Sequence, residues 1–330
     1  MAGVVMPAFD REFLVQGLPL YLDASVGIPS ESVRSYLRLY HLLDLAERAE
    51  YRIGRIDLDE VWITMQSFFL KPGENCRGTV IVLHGYMDHM GLYQHLINDL
   101  LSSGFNVLCY DLSGHGLSDG DPLHVDDFHH YATQLSEVMS RFDQELNYPV
   151  HLIGQSTGAA VVMAHQLLFT DKQIPSLGER ILLAPLVRPS MWRSIQRRYR
   201  WLKYVLRRVP RKYGQNSHDK SFMHFVAEHD LLQHREIPVS WIGAMLAWGN
   251  WIESHKPVPG RIHMIQGTND GTVDWHHNMA VLGRLYPELE MTLVDDAKHH
   301  LVNESPEYRD QVFNQIQKIF MEWEKDFAQK

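Results

Sequence analysis

The chain has 330 residues, is 45% hydrophobic and 22% charged, and carries a formal net charge of −9. These values describe an ordinary globular chain that can bury a large core, and the sequence contains no internal repeat and no low-complexity tract. The negative net charge weighs against binding to nucleic acid, so no nucleic-acid partner is expected.

Cysteine usage and the N-terminus bear on the compartment. The two cysteines, Cys76 and Cys109, are too few for a disulfide framework and fit a reducing environment. The first residues lack the basic region and the hydrophobic length of a signal peptide. We therefore expect a cytoplasmic protein that can also make peripheral contact with the inner membrane surface. No histidine or cysteine cluster has zinc spacing, so no metal is expected. No organic cofactor is expected either.

Residues 1–50 precede the first predicted strand and are predicted to form a helical extension packed on the core. Ser30 is suited to cap a helix running from Glu31 to Glu50, whose apolar stripe includes Leu37. A dimer contact or a membrane contact is the less favoured use of that stripe.

The apolar, β-branched run Thr79–Leu83 predicts a buried strand. It ends at His84-Gly85-Tyr86, where Gly85 allows a tight turn that leaves a backbone N–H above the sheet. We predict that the N–H of Tyr86 can hold a developing oxyanion. The His84 side chain is interpreted as a structural group that bonds nearby backbone.

A glycine-rich block, Asp111–Gly120, follows the predicted strand Asn106–Tyr110. Its turn glycines and short polar side chains favour hydrogen bonds to local backbone. His115, which lies within the block, is therefore interpreted as structural rather than as a substrate contact.

Residues 154–158 read Gly-Gln-Ser-Thr-Gly and lie between a predicted strand and a predicted apolar helix. A G-x-S-x-G in that position is typical of a nucleophile elbow, in which a strained turn exposes the serine hydroxyl. Ser156 is the candidate nucleophile, and the N–H of Thr157 is a candidate oxyanion donor beside that of Tyr86. The charge-free stretch 150–170 is better explained by this strand, turn and helix than by a membrane span.

A strongly basic segment, Arg188–Lys220, follows the sixth predicted strand. It holds 11 Lys or Arg and one acid, a balance of +10, which leaves −19 for the rest of the chain. Because the cations alternate with Trp and aliphatic residues, we favour an amphipathic helix at the interface of an anionic membrane. A solvated helix paired with the acidic body of the protein and non-specific nucleic-acid binding are the alternatives.

An apolar segment, residues 238–254, comes next and carries no charge before Glu253. A helix that is apolar on most sides must be buried or must line an apolar pocket. Trp and Met side chains suit an acyl chain, because they are large and have no fixed polar demands. Trp241, Met245 and Trp248 are therefore candidate substrate contacts, with plain core packing as the alternative.

Two later strand ends carry the acid and the histidine that a serine nucleophile requires. A predicted strand over 261–266 ends at a turn containing Asp270, and a strand over 290–294 runs into His299 and His300. Ligand sites of open α/β sheets lie at the carboxyl ends of strands, so these side chains are expected to meet the candidate nucleophile there.

Spacing alone leaves two choices in this region. Asp274 lies one helical turn beyond Asp270, but it is expected inside the next helix and should point away from the strand end. Asp270 is therefore favoured over Asp274. His299 and His300 are adjacent, and the spacing does not separate them.

Five blocks of the sequence resemble those of the α/β-hydrolase superfamily, in the group of monoacylglycerol lipases and lysophospholipases. The blocks begin at His84, Asp111, Gly154, Gln266 and Ala297, and the resemblance spans about residues 50–325. Together with the alternation of strands and helices, it implies an α/β fold with a mostly parallel central sheet and helices on both faces. The implied domain plan has core parts 51–185 and 260–330, with a helical cap at 186–259 inserted between them.

The resemblance also implies an activity. In the family the catalytic histidine follows Ala-Lys, which implies His299 as general base with Ser156 as nucleophile and Asp270 as the acid. The next position is usually Glu in the family and is His300 here. The implied substrate is a carboxylic ester of a lipid-like alcohol, of the monoacylglycerol or lysophospholipid type. A thioesterase, a peptidase of the same superfamily and a non-catalytic binding fold are the alternatives.

Overall fold

The structure is a computed structural model that describes residues 9–58, 61–169, 177–211 and 214–328. The strands in these ranges are β1 (Glu50–Leu58), β2 (Val61–Phe69), β3 (Thr79–Leu83), β4 (Asn106–Tyr110), β5 (Val150–Gln155), β6 (Leu177–Leu183), β7 (Arg208–Pro210), β8 (Glu236–Pro238), β9 (Ile262–Gly267) and β10 (Leu289–Val294). The central sheet has the order β1-β2-β4-β3-β5-β6-β9-β10. β2 is antiparallel to both of its neighbours, and the other neighbouring strands are parallel.

Helices cover both faces of this sheet. They are α1 (Arg11–Gln16), α2 (Glu31–Leu39), α3 (Leu43–Arg48), α4 (Gln94–Ser102), α5 (Phe128–Arg141), α6 (Thr157–Leu168), α7 (Trp192–Leu202), α8 (Lys220–Glu228), α9 (Val239–Ser254), α10 (Trp275–Leu285) and α11 (Pro306–Ala328). The predicted fold class, a mostly parallel sheet flanked by helices, is confirmed.

Strand β3 shows how the sheet divides the core into two layers. Successive side chains of a strand point to opposite faces. Ile81 and Leu83 accordingly pack in one apolar cluster with α5, α6, α9 and α10. Val80 and Val82 pack in a second cluster with α1 to α4 and α11. Burial on both faces explains why β3 is a nearly continuous apolar run.

Within the N-terminal segment, residues 1–8 lie outside the described ranges, and α1, α2 and α3 pack on the second of these clusters. The side chain of Ser30 caps α2 by accepting a hydrogen bond from the Val33 N–H, as predicted. The prediction of one helix over residues 31–50 is wrong, because α2 ends at Leu39 and α3 begins at Leu43. The break occurs at His41, whose φ of 55° is incompatible with a continuous helix.

The stretch 186–259, called the insertion below, joins β6 to β9 and contains α7, α8, α9 and the small β7–β8 pair. Its start and end are tied by an ion pair between Arg188 and Glu253. Helix α9 packs on α5, where Trp248 stacks on Phe128 with ring centroids 5.4 Å apart. Residues 212–213 of the basic segment lie outside the described ranges. Across those ranges, no helix combines the length and the apolar character needed to cross a membrane.

Candidate active site

The turn between β5 and α6 holds Ser156 in a backbone conformation that L-amino acids rarely adopt. Its φ is 54° and its ψ is −109°, the strained geometry of a nucleophile elbow. Gly158 makes the turn possible, because a Cβ atom there would lie 2.2 Å from the carbonyl oxygen of Leu83. The Ser156 N–H donates to the Leu183 carbonyl over 2.8 Å. These contacts fix the serine at the carboxyl edge of the sheet.

The turns after β9 and β10 bring Asp270 and His299 together. Oδ2 of Asp270 lies 2.7 Å from Nδ1 of His299, and the two side chains are 0% and 8% exposed. Oδ1 of Asp270 accepts hydrogen bonds from the N–H groups of Thr272 and Val273. The carboxylate is therefore held in one orientation toward the imidazole.

The electrostatics of this pair follow from its burial and its contacts. Burial alone would raise the pKa of Asp270, but the His299 ring and the hydrogen bonds from Gln266 and Thr272 hold it below its ordinary value. Burial alone would lower the pKa of His299, but the charge and the hydrogen bond of Asp270 raise it above its ordinary value. The carboxylate thus stays ionised and increases the proton affinity of the ring.

Ser156 and His299 line the same cavity. Because Nδ1 of His299 is occupied by Asp270, Nε2 is the nitrogen left to face a substrate or a serine. Among the hydrogen bonds of the described residues, none joins the Ser156 hydroxyl to the ring. Such bonds are often long in unliganded enzymes and tighten when the substrate binds. Gln155 connects the two turns, since its side chain donates to the His299 carbonyl over 2.8 Å.

The rival candidates for the acid and the histidine have other partners. Asp274 is exposed and caps α10, where it accepts a hydrogen bond from the His277 N–H. Nε2 of His300 lies 3.0 Å from Oδ2 of Asp88. The structure therefore places Asp270, and not Asp274, against a candidate base, and it gives the adjacent histidines two different carboxylates.

The two predicted oxyanion donors flank the serine. Thr157 is the first residue of α6, so its N–H has no acceptor within the helix. Tyr86 lies in the turn after β3, beside Gly85. A Cβ atom on Gly85 would lie 3.4 Å from the Ser156 Cβ. Neither N–H donates a hydrogen bond to another described residue, so both are available at the cavity that they line.

A cavity of about 350 Å³ opens over these groups. Most of its remaining wall is apolar and comes from the insertion, with Ile195, Phe222, Val226, Trp241, Ile242 and Met245 among the lining residues. Trp241 also stacks on Tyr86, with ring centroids 3.5 Å apart and an interplanar angle of 12°. The turn after β3 and the wall of the cavity are thus in direct contact.

The three predicted substrate contacts fall in different places. Trp241 and Met245 line the cavity. Trp248 does not: it is buried, and its indole N–H donates to the Leu186 carbonyl over 2.8 Å. For Trp248 the structure fits the alternative of core packing.

Sequence reasoning assigned no role to Asp88 and Asn216, which are among the polar residues of the cavity wall. Asp88 lies in the block that begins at His84, so its position in that block was a usable signal. It accepts a hydrogen bond from the Tyr93 hydroxyl over 3.1 Å in addition to its pairing with His300. Asn216 comes from the insertion, and its backbone carbonyl accepts a hydrogen bond from the His300 backbone N–H over 2.8 Å. Nothing in the sequence around Asn216 indicates that contact.

Two other histidines near the site bond local backbone. Nδ1 of His84 lies 2.7 Å from the Gly85 carbonyl, and its Nε2 accepts the Leu112 N–H over 2.9 Å. His115 lies 3.0 Å from the Ser113 carbonyl, and burial lowers its pKa to about 3. Both rings therefore have the structural contacts predicted for them. Within the described ranges, no three His, Cys, Asp or Glu side chains are grouped to hold a metal ion.

Similarity to known proteins places the chain in a family. Residues 74–306 match the Hydrolase_4 family, described as serine aminopeptidase, S33. The chain is 25% identical over 263 residues to a monoglyceride lipase homolog of Monkeypox virus, covering 76% of this chain and 91% of that protein. It is 28% identical over 120 residues to the human monoglyceride lipase, covering 36% of this chain and 38% of the human protein.

Solved structures show the same fold. A soluble variant of the monoglyceride lipase of Saccharomyces cerevisiae, in complex with a substrate analog, superposes with a TM-score of 0.68 at 18% identity, covering 81% of this chain and 94% of that one. The monoacylglycerol lipase of Paleococcus ferrophilus gives 0.66 at 17% identity, covering 78% and 98%. The motif-based prediction is confirmed: the chain belongs to the Hydrolase_4 (S33) family and is an α/β-hydrolase that resembles monoglyceride lipases.

Proposed function

We propose that the protein is a serine hydrolase that cleaves carboxylic esters of lipid-like alcohols, of the monoacylglycerol or lysophospholipid type. The observation that carries the proposal is the shared cavity of Ser156, on its strained turn, and His299, 2.7 Å from Asp270. A serine is a weak nucleophile until a base takes its proton, and the base needs an acid to fix its tautomer.

The reaction proceeds in two acyl transfers. Ser156 Oγ attacks the ester carbonyl carbon as its proton passes to Nε2 of His299, and the oxyanion accepts hydrogen bonds from Tyr86 N–H and Thr157 N–H. The tetrahedral intermediate expels the alcohol, which takes the proton from His299. Water then attacks the acyl-enzyme as its proton passes to His299, which gives the proton to Ser156 Oγ as the fatty acid leaves. Asp270 stays ionised and stabilises the imidazolium formed in each step.

The apolar wall supports an acyl substrate. Ile195, Phe222, Trp241 and Met245 offer contact without polar demands, which suits a hydrocarbon chain. We propose Trp241 and Met245 as acyl contacts. The named relatives and the yeast complex with a substrate analog favour a monoacylglycerol-type ester.

A peptidase is the second candidate, because the family carries an aminopeptidase description. Capture of a peptide amine requires an unpaired acid near the scissile bond. Among the described residues that line the cavity, the only carboxylate is Asp88, and it is already paired with His300. That pairing favours an ester substrate over a peptide substrate. It does not distinguish an ester from a thioester.

We also propose that the basic segment contacts anionic membranes. Six of its cations are exposed and form no ion pair with a described residue: Arg193, Arg197, Arg198, Arg200, Lys203 and Arg207. Trp201, Tyr204 and Val205 lie beside them and are 79%, 78% and 74% exposed. Exposed aromatic residues among cations suit a lipid headgroup region. By contrast, Arg188 and Arg208 pair with Glu253 and Asp121 and support the fold.

The decisive test of the activity is the variant Ser156→Ala. We expect turnover of a monoacylglycerol to fall by about 10⁴- to 10⁶-fold, because the members of such a triad act as a unit. Covalent labelling by a fluorophosphonate should disappear while the circular-dichroism spectrum stays unchanged. The matched control is Ser102→Ala, at the exposed end of α4, which should retain labelling and turnover. Undiminished hydrolysis by Ser156→Ala would refute the mechanism.

A substrate panel tests the class of acyl compound. Monoacylglycerols and lysophospholipids should be hydrolysed with higher kcat/KM than acyl-CoA thioesters or aminoacyl anilides. A preference for the thioester would identify a thioesterase, and a preference for the anilide would identify a peptidase. If the folded protein hydrolyses none of these substrates, the alternative of a non-catalytic binding protein is favoured.

A further inference from the structure

The turn after β3 carries strain next to one proposed oxyanion donor. Residues 85–88 form a β-turn closed by a hydrogen bond from the Asp88 N–H to the Gly85 carbonyl over 3.1 Å. Met87, at the third position, has a φ of 66°, which a type II turn requires and which Gly normally supplies. A side chain in that region persists only where the surroundings hold it. The shape of this turn decides where the Tyr86 N–H points.

Two side chains of the insertion contact this turn and the residue after it. Gln233 donates to the carbonyl of the strained Met87, with 3.0 Å between Nε2 and O. The carboxylate oxygens of Asp230 lie 3.2 Å (Oδ1) and 3.1 Å (Oδ2) from Nε2 of His89. Gln233 also donates to Asp230 over 2.8 Å. The two side chains therefore form one unit, called the brace below.

The brace is itself fixed from a distant part of the chain. The Tyr40 hydroxyl, which follows α2, donates to Asp230 over 2.7 Å, and the Leu232 N–H donates to it over 3.0 Å. The side chains of Asp230 and His89 are 0% and 1% exposed. A buried carboxylate with this set of donors is held in a single orientation. The N-terminal segment, the insertion and the turn after β3 thus meet at Asp230.

The charges of the pair agree with the geometry. Burial alone would raise the pKa of Asp230, but His89 and the hydrogen bonds from Tyr40 and Leu232 hold it below its ordinary value. Burial alone would lower the pKa of His89, but Asp230 raises it above its ordinary value. The contact is therefore a charge-assisted pair, stronger than a neutral hydrogen bond.

We propose that Asp230 and Gln233 are positioning residues: they hold Met87 in its strained conformation and so keep the Tyr86 N–H aimed at the oxyanion. Core contacts hold the other side of the turn, where the Gly85 N–H donates to the Tyr93 hydroxyl over 3.0 Å. The inference rests on the proposed function, since it assigns the Tyr86 N–H to the oxyanion. It gives the insertion a part in the chemical step as well as in the cavity wall.

The first experiment compares Asp230→Asn and Gln233→Met with the matched control Glu228→Gln, an exposed position at the end of α8. Loss of an oxyanion donor lowers kcat by about 10²- to 10³-fold. For a donor that is misaligned rather than removed, we expect a loss of about tenfold to a hundredfold in kcat on a short p-nitrophenyl ester. KM should stay within about twofold, because the ground state does not use this hydrogen bond.

Affinity measurements separate positioning from a general loss of structure. A trifluoromethyl ketone forms a tetrahedral adduct on Ser156 and needs the oxyanion donors, whereas a non-hydrolysable ether analog does not. The brace variants should lose affinity for the ketone in proportion to kcat and keep affinity for the ether. Equal losses for both ligands, or no loss for either, would overturn the proposal. Provided that Ser156→Ala abolishes turnover, either outcome refutes the proposed role of the brace and leaves the proposed function standing.

A second variant keeps the test valid if Asp230→Asn does not fold. Glycine adopts positive φ without strain, so Met87→Gly should reduce the need for the brace. In that background Gln233→Met should lower kcat clearly less than it does in the parent protein, a coupling that a double-mutant cycle measures. Additive losses would show that Gln233 does not act through the Met87 turn.

Discussion

The carboxyl edge of the sheet and the insertion above it both line the cavity, but they differ in how they are built. At the sheet edge, Ser156, Asp270 and His299 lie on short turns directly after strands, fixed by backbone hydrogen bonds. The insertion contributes side chains from elements far apart in sequence, such as Trp241 on α9 and Gln233 before β8.

In the proposed mechanism, this difference separates the chemical step from binding and orientation. A turn at a strand end holds a reacting group with little freedom, which acyl transfer needs. The adaptable apolar side chains of the insertion can adjust to the shape of a hydrocarbon chain. Variants at the sheet edge should therefore abolish turnover, and variants in the insertion should change binding or reduce the rate more modestly.

The largest expected effect lies at the two adjacent histidines of the sheet edge. His299→Ala should lower turnover by about 10⁴- to 10⁶-fold, as Ser156→Ala does, because the two residues act as a unit. The control His300→Gln keeps a donor near Asp88 and should cost no more than about tenfold, roughly 1.4 kcal/mol of barrier. Steady-state kinetics on a soluble ester measures both.

The opposite result would reverse the assignment. If His300→Gln is inactive and His299→Ala retains turnover, the base is His300 and its acid is Asp88. The sheet edge would then use the turn after β3 for the acid, and Asp270 would have a structural role only.

The same contrast explains what could be predicted from the sequence. The strand β3 and the elbow at Ser156 follow from local patterns, namely an apolar β-branched run and two glycines around a serine. The pairing of Asp270 with a histidine followed from the rule that ligand sites lie at strand ends. The choice of His299 over His300 rested on family resemblance, because the two histidines are the same residue type at the same strand end.

Contacts between distant segments could not be predicted. Tyr40 and Asp230 are 190 residues apart and neither lies in a motif, yet they share a buried hydrogen bond. Trp248 and Trp241 have the same composition-based reasons to line a pocket, but helix α9 turns only Trp241 toward the cavity. The periodicity of the segment 31–50 does not reveal the break at His41, where φ is 55°.

A medium effect is expected at the outer surface of the insertion. Replacing Arg193, Arg197, Arg198 and Arg207 with Gln should weaken sedimentation with anionic vesicles by about a hundredfold or more at low salt, since each surface cation contributes about 1 kcal/mol. Activity on vesicle-borne substrate should fall with it, while activity on a soluble short ester stays unchanged because the sheet edge is untouched. High salt should reproduce the loss in the parent protein.

A control with the same change in charge isolates the surface. Lys71, Lys256, Lys318 and Lys325 are exposed and lie outside the basic segment, so their replacement by Gln should leave vesicle binding nearly intact. No vesicle binding by the parent protein at low salt would remove the membrane proposal. Equal losses on both substrates, with a lower Tm, would instead assign the arginines to structure.

The smallest effect concerns the pH dependence of the sheet edge. His299 must be neutral to accept the serine proton, so kcat/KM should fall about tenfold per unit as pH drops below its pKa. Asp270 and, more weakly, Asp88 raise the pKa of His299, so the midpoint should lie above the ordinary value of about 6.5. Asp88→Asn removes one of the raising charges and should move the midpoint to lower pH. The control Glu307→Gln, at the exposed start of α11, should not move it. A midpoint that does not fall in Asp88→Asn would show that Asp88 does not raise the pKa of the titrating group.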